Sequence, residues 1–223
     1  MSRLVLLYGG TFDPVHRGHL AVARAALAAT GAAWLDFLPA ADPPHRAPPG
    51  APFAERLALL ELALAAEPPP EHGGWGVDGR EGGRAGPSFT VDTLRDWRRG
   101  HGAEAPLGFV LGADAFLGLA GWREWQALPD LTHFIVARRP GSPLEPLPPP
   151  LAEAFAGRRV DHPARLHAAP AGGLFLLDLP LRPESATRAR AALGEGDAAP
   201  ADLPPVVAEA IARRGLYRRP AGG

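Results

Sequence analysis

The chain has 223 residues, 46% of them hydrophobic and 21% charged, with a formal net charge of −1, which suits one large α/β domain with a real core. There is no global basic field to gather nucleic acid, and the absence of cysteine excludes disulfides, thiolate zinc sites and cysteine nucleophiles. All 23 basic side chains are arginine, so Walker-type lysines, Schiff bases and adenylated lysines are excluded too.

In chain order, residues 3–8 read as a buried strand, a short apolar run halted by Gly-Gly. Residues 18–29 read as an alanine-rich helix with Leu20, Ala23 and Leu27 at helical spacing. A second strand at 34–38 leads into a proline-rich loop at 39–50, which can be neither helix nor central strand. An amphipathic helix follows over 53–66. Gly and Pro dominate 67–87 apart from a short strand at 75–78, and Ser88 then stands as N-cap of a helix reaching Arg99. Strands at 109–111 and 134–137 flank helical turns in GADAFLGLAGWREW. Residues 140–172, dense in proline, read as a loop or irregular lobe, before a last strand at 174–177 and helices at 187–193 and 205–214.

This alternation predicts an α/β fold, a parallel sheet with helices on both faces and ligands at the carboxyl ends of the strands. The expected layout is a single domain over 1–223. It has a core at 1–182 that includes the irregular 142–172, a small C-terminal helical element at 183–217, and a loose tail at 218–223. The opening MSRLVLLYGG is too short an apolar run for a signal peptide, and no stretch reaches membrane-spanning length. A cytoplasmic location without membrane partners is expected. No aromatic-basic stripe marks a nucleic-acid surface. Oligomeric state, including a homo-oligomer, stays open.

The stretch GGTFDPVHRGHL, Gly9 to Leu20, puts two histidines where a strand hands over to a helix. Three readings compete: coincidence, a zinc site, and a phosphate site. Zinc would need more ligands than His16, His19 and Asp13, and no HExxH-type set follows, so no residue is assigned to a metal. The phosphate reading uses every part. Gly9 and Gly10 let backbone approach a ligand. A helix starting near Gly18 turns its N–H groups and positive dipole end to the same place. An i, i+3 pair of imidazoles reaches one anion, and imidazole becomes cationic more readily beside a phosphate.

GGTFDPVHRGH resembles the (H/T)xGH signature of the nucleotidyltransferase superfamily. ESATRAR, at 184–190, resembles that superfamily's C-terminal ISSTxxR through Ser185, Thr187 and Arg190, with Glu184 and Ala186 in place of Ile and the second Ser. The resemblance implies a Rossmann-like nucleotidyltransferase fold. It implies that His16 and His19 stabilise the α-phosphate of ATP during in-line attack, without a covalent intermediate. The implied ATP site comprises Gly9, Gly10, Thr11, Phe12, Gly18, Gly112, Asp114, Ser185, Thr187 and Arg190. Mg2+ would accompany ATP, held by phosphate oxygens and water.

Further blocks are similar to one branch, nicotinate-nucleotide adenylyltransferase. PPHR, at 43–46, resembles its PPHK loop. EGGRAGPSFTVDTL resembles its E-x-x-R-x-G-x-S-(Y/F)-T-x-D-T-L segment, through Glu81, Arg84, Gly86, Ser88, Thr90 and Asp92. LGADAFLGLAGWREW resembles its GxD…W segment, and RRPG and RRGLY agree as well. All but about 142–172 is covered, whereas phosphopantetheine adenylyltransferases lack the GPSFT and GAD…W blocks. The implied partners are ATP and nicotinate mononucleotide, the latter bound by Pro44, His45, Arg46, Thr90, Trp122 and Arg139. Trp122 would face the pyridine ring and backbone N–H groups near Thr90 its carboxylate. The amidated acceptor, nicotinamide mononucleotide, or a dual preference stays open, as does a catalytically silent nucleotide sensor, towards which only Ala186 leans.

Overall fold

A computed structural model of the chain describes residues 3–43, 48–138, 144–180 and 184–218. Six strands, β1 (Val5–Gly10), β2 (Trp34–Pro39), β3 (Gly74–Val77), β4 (Leu107–Gly112), β5 (His133–Arg138) and β6 (Leu174–Asp178), form one parallel sheet in the order β3-β2-β1-β4-β5-β6. Helices α1 (Arg17–Thr30) and α2 (Phe53–Ala66) connect the first three strands, and α3 (Thr90–His101) carries the chain back across to β4. Strand order therefore reverses between β1 and β4. A doubly wound Rossmann sheet opens a crevice at that reversal, beyond the carboxyl ends of its strands.

Alternation along the strands builds two cores. Leu6 and Tyr8 of β1, Val110 of β4 and Ile135 of β5 face one side; Leu7, Phe109, Leu111, Phe134 and Val136 face the other. The first side is covered by α1, α2, α8 (Ala186–Gly194) and α9 (Pro205–Arg214), through Leu20, Leu27, Leu59, Leu60, Val207 and Ile211. The second is covered by α3, α4 (Ala113–Leu117), α5 (Leu128–Leu131) and α6 (Pro149–Ala154), through Leu94, Trp97, Phe116, Leu128 and Leu151. Full burial of each such side chain stabilises the fold by roughly 1.5–3 kcal/mol. No described helix is long and apolar enough to cross a membrane.

Helices α2 and α9 have the boundaries expected from periodicity and flanking prolines. Ser88 departs from expectation. Phe89 is the N-cap of α3, and Ser88 instead clasps the loop after β2: its N–H donates to Asp42 O at 2.9 Å and its hydroxyl accepts from Asp42 N–H at 3.4 Å. Gly9 and Gly10 continue β1, paired with Leu38 and Pro39. Within 140–172, two short helices form, α6 and α7 (Ala164–Ala168), each opening beside proline, which gives up no intrahelical bond in a first turn. Of the expected tail, only Arg218 lies within the described residues.

Candidate active site

β1 delivers Gly9 and Gly10 to the crevice. A Cβ on Gly9 would stand 2.4 Å from the Phe109 ring, and one on Gly10 2.8 Å from the Phe12 ring. Aromatic packing beneath the cleft thus demands these glycines, in addition to the ligand approach expected of them. Phe12 holds a left-handed backbone (φ 49), uncommon for a bulky residue. Its buried ring packs edge-on to His19 (4.9 Å), Tyr8 (5.4 Å) and Phe37 (5.6 Å), and that packing fixes a strained turn.

His16 is the N-cap of α1, with an extended backbone and only 8% of its surface exposed. Its N–H donates to Nδ1 of His19 at 3.2 Å, and the two rings stack at 3.6 Å between centroids. Burial and stacking exclude a surface coincidence. A backbone N–H can only donate, so Nδ1 of His19 accepts and Nε2 carries the proton. An imidazolium cannot fill that acceptor role. This geometry presents the Nε2–H of His19 as a hydrogen-bond donor.

Two cavities meet here. The larger, of about 1050 Å3, is lined by His16, Gly18, His19, Gly112, Thr187 and Arg190 among others. The smaller, of about 420 Å3, is lined by Glu81, Thr90, Phe109 and Trp122 among others. Gly9, Gly10, Thr11, Asp114 and Ala115 line both, so the ends of β1 and β4 form a shared waist. Asp114 stands in the first turn of α4, capped by Gly112. Trp122 is half-buried, edge-on to Phe109 at 6.4 Å. Thr90 opens α3, where the first N–H groups have no intrahelical acceptor.

Two buried residues hold the waist, and the sequence reading overlooked their roles. Arg56, fully buried in α2, donates to three carbonyls of two loops: to Thr11 O at 2.6 Å after β1, and to Ala41 O at 3.1 Å and Ala51 O at 3.1 Å between β2 and α2. Burial lowers its pKa, against the opposing pull of Asp13, Tyr217 and Glu81. In a planar trans peptide the C=O and the next N–H point opposite ways. Turning Thr11 O inward to Arg56 therefore sends the N–H of Phe12 the other way.

Asp13, 6% exposed, accepts from Gly50 N–H (2.7 Å), Ala51 N–H (3.1 Å) and the Tyr217 hydroxyl (2.8 Å). Burial and that carboxylate hold the Tyr217 phenol well above its ordinary pKa, as a neutral donor. Asp13 is therefore a tether between the loop after β1, the loop before α2 and the residues after α9. The one available signal for Arg56 was an arginine on the apolar stripe of Phe53, Leu59, Leu60 and Ala63.

The C-terminal motif arrives from the other side. Ser185 caps α8, its hydroxyl accepting from Arg188 N–H at 3.1 Å, while Ala186, Thr187 and Arg190 line the larger cavity. The hydroxyl absent at Ala186 is thus one that would border the cleft. Arg190 donates to Asp13 O at 2.6 Å, joining the two motifs. Arg138, not singled out from sequence, also lines the cleft; it pairs with Asp178, which raises the arginine's pKa and lowers the aspartate's. Pro44, His45, Arg46 and Arg139 lie outside the described residues.

Comparisons with known proteins show the family and the fold. A family model, Cytidylyltransferase-like, matches residues 7–192. The probable nicotinate-nucleotide adenylyltransferase of Stenotrophomonas maltophilia is 49% identical over 226 residues, covering 99% of each chain. That of Yersinia pestis is 40% identical over 215 residues, covering 96% of each. Among solved structures, the Plasmodium falciparum nicotinic acid mononucleotide adenylyltransferase complexed with NaAD shares the fold at a TM-score of 0.71 and 15% identity, covering 96% of this chain and 97% of that one. The same protein complexed with APC gives 0.72 at 17% identity, with the same coverage. The chain belongs to the nicotinate-nucleotide adenylyltransferase family of cytidylyltransferase-like nucleotidyltransferases.

Proposed function

We propose that this nucleotidyltransferase moves the adenylyl group of ATP onto nicotinate mononucleotide, giving deamido-NAD and pyrophosphate, a step of NAD biosynthesis. The observation that carries the reading is the shared waist: a cavity with stacked histidines on one side, a cavity with Trp122 and the start of α3 on the other. The relatives' names and the neighbour complexed with NaAD support it.

In this reading the acceptor's 5′-phosphate oxygen attacks the α-phosphorus of ATP in line, and the bond to the pyrophosphate oxygen breaks. The chain supplies no nucleophile; it positions the two phosphates and stabilises developing charge. His16 and His19 serve the α-phosphate, helped by the N-terminus of α1. Thr187, Arg190 and Gly18 face the triphosphate, and Ser185 acts through the cap that orients α8. Gly112 and Asp114 bound the ATP side at the waist. Trp122 lies against the pyridine ring, and the N–H groups around Thr90 take its carboxylate. Pro44, His45, Arg46 and Arg139 remain assigned to the acceptor by resemblance.

Asp114, the one carboxylate among the described residues that lines both cavities, suits Mg2+ carried mainly by phosphate oxygens and water. Bound there, the ion supplies neutralisation of the triphosphate charge. A single domain completes the reading, supported by the first core's sharing of α1, α2, α8 and α9, and a cytoplasmic location is part of the same proposal.

The test is pyrophosphate release with ATP and Mg2+, offering nicotinate mononucleotide and nicotinamide mononucleotide separately. Release with the acid alone supports a donor-lined pocket, because such a pocket rejects an amide strongly. Release with both makes the enzyme dual. Release with neither, while ATP still binds, makes it a silent sensor.

A further inference from the structure

Glu81 lies in the tight turn Arg80–Gly83, is 4% exposed, and lines the smaller cavity. Its Oε1 accepts from the Thr93 hydroxyl at 2.8 Å. Thr93 is fully buried and receives Arg84 Nη1 at 2.6 Å, and Arg84 is held in turn by Asp96. One oxygen is thus locked by a chain of side chains. The other, Oε2, is buried and has no hydrogen-bond partner among the described residues. Leaving a buried acceptor unsatisfied costs about 1–3 kcal/mol, and more where charge is involved. Such a group in a cavity wall is explained when a ligand completes it.

We propose that Oε2 of Glu81 accepts a hydrogen bond from a ribose hydroxyl of the acceptor nucleotide. The inference rests on the reading that the smaller cavity takes nicotinate mononucleotide. The hydrogen-bond donors of that molecule are its two ribose hydroxyls; its carboxylate and phosphate only accept. As a hydrogen-bond acceptor, a carboxylate in the wall therefore finds its donor only in these hydroxyls, and a carboxylate or phosphate set against it would be repelled. Seating the hydroxyl on Glu81 keeps the ring carboxylate apart from it, by the N–H groups at the start of α3. Because Thr93 fixes Oε1, the direction of Oε2 is set before substrate arrives, so the contact selects without being built on binding.

The test uses the full chain with ATP and Mg2+, the variants Glu81→Met and Glu81→Gln, and three acceptors: nicotinate mononucleotide and its 2′-deoxy and 3′-deoxy forms. KM for nicotinate mononucleotide is expected to rise about tenfold in Glu81→Met, and less in Glu81→Gln, which keeps one acceptor oxygen. The kcat and the KM for ATP should stay within about twofold of the unaltered chain. One deoxy acceptor should cost the unaltered chain the same factor, with no further loss when combined with Glu81→Met. An unchanged KM overturns the assignment, as does a fall in kcat with both KM values raised, the mark of a disturbed turn. A Glu81 effect that persists in full on both deoxy acceptors also overturns it, and moves the carboxylate's role to the pyridinium charge. If the unaltered chain turns over no nicotinate mononucleotide, the reaction itself is misread, and that is registered before any variant is compared.

Discussion

The loop from Gly9 to His19 and the segment from Ser185 to Arg190 both border the larger cavity, yet they are held in opposite ways. The first is pinned from beneath: Arg56 on Thr11 O, Asp13 on Gly50 and Ala51, Phe12 in an aromatic nest, the histidines stacked. The second rides on a helix of nine residues whose Arg190 side chain is 36% exposed, held by the Ser185 cap, by Ser185 N–H and Arg188 on Asp202, and by Arg190 on Asp13. Stabilising charge at a reacting phosphorus requires donors that do not reorganise, so rigidity is concentrated there. Gripping the rest of a triphosphate asks only for charge within reach.

Breaking the rigid side should cost most. Arg56→Met strands three carbonyls and leaves Asp13 and Glu81 without their buried cation, so a loss of about 3–5 kcal/mol is expected, read from a denaturant midpoint at constant slope. A shift under 1 kcal/mol would mean that water replaces the guanidinium, and the waist is looser than drawn. His19→Ala should lower kcat by roughly 10²–10³ while costing much less stability than Arg56→Met, since the ring borders the cleft and its removal takes away a stack and one cap hydrogen bond but leaves the Arg56 contacts in place. Turnover preserved to within a few-fold removes the role assigned to that ring.

The C-terminal side should respond more mildly. Arg190→Ala is expected to raise the KM for ATP about tenfold and to move kcat little; an equal fall in kcat would place Arg190 at the reacting phosphorus and erase the contrast between the two motifs.

The smallest effect concerns a histidine outside the cleft. His133 accepts Gly173 N–H on Nδ1 at 2.8 Å and faces Ala169 O with Nε2 at 2.9 Å. Burial lowers its pKa, so the unfolded chain takes up a proton before the folded one does. The stability it contributes is complete above the ordinary histidine range and is lost as pH falls through the folded-state value. Melting curves should shift downwards on acidification, and in His133→Gln that slope should shrink. An unchanged slope would assign the acid sensitivity to other groups.

Much of the scaffold was legible because its causes are local. The apolar spacing over Phe53–Ala66 and the prolines before Pro205–Arg214 act within a turn or two, and both helices have the expected boundaries. Ser88 was misread because a partner at Asp42, far along the chain, outcompeted the local cap. Glu81 sat in a glycine-rich stretch with no periodicity to mark it, and its partner Thr93 lies on the following helix.

By itself, the sequence determined the element order, the parallel α/β class and the two phosphate motifs, since periodicity, turn chemistry and short spacings are properties of neighbouring residues. Only the tertiary structure decided which carbonyls Arg56 would gather, that Asp13 is a tether, that His19 accepts at Nδ1, and that Ser185 caps while Ala186 and Thr187 border the cleft. Those outcomes depend on groups brought together from positions as distant as 13 and 217, and a buried polar group takes its role from whichever partner the packed chain leaves within reach.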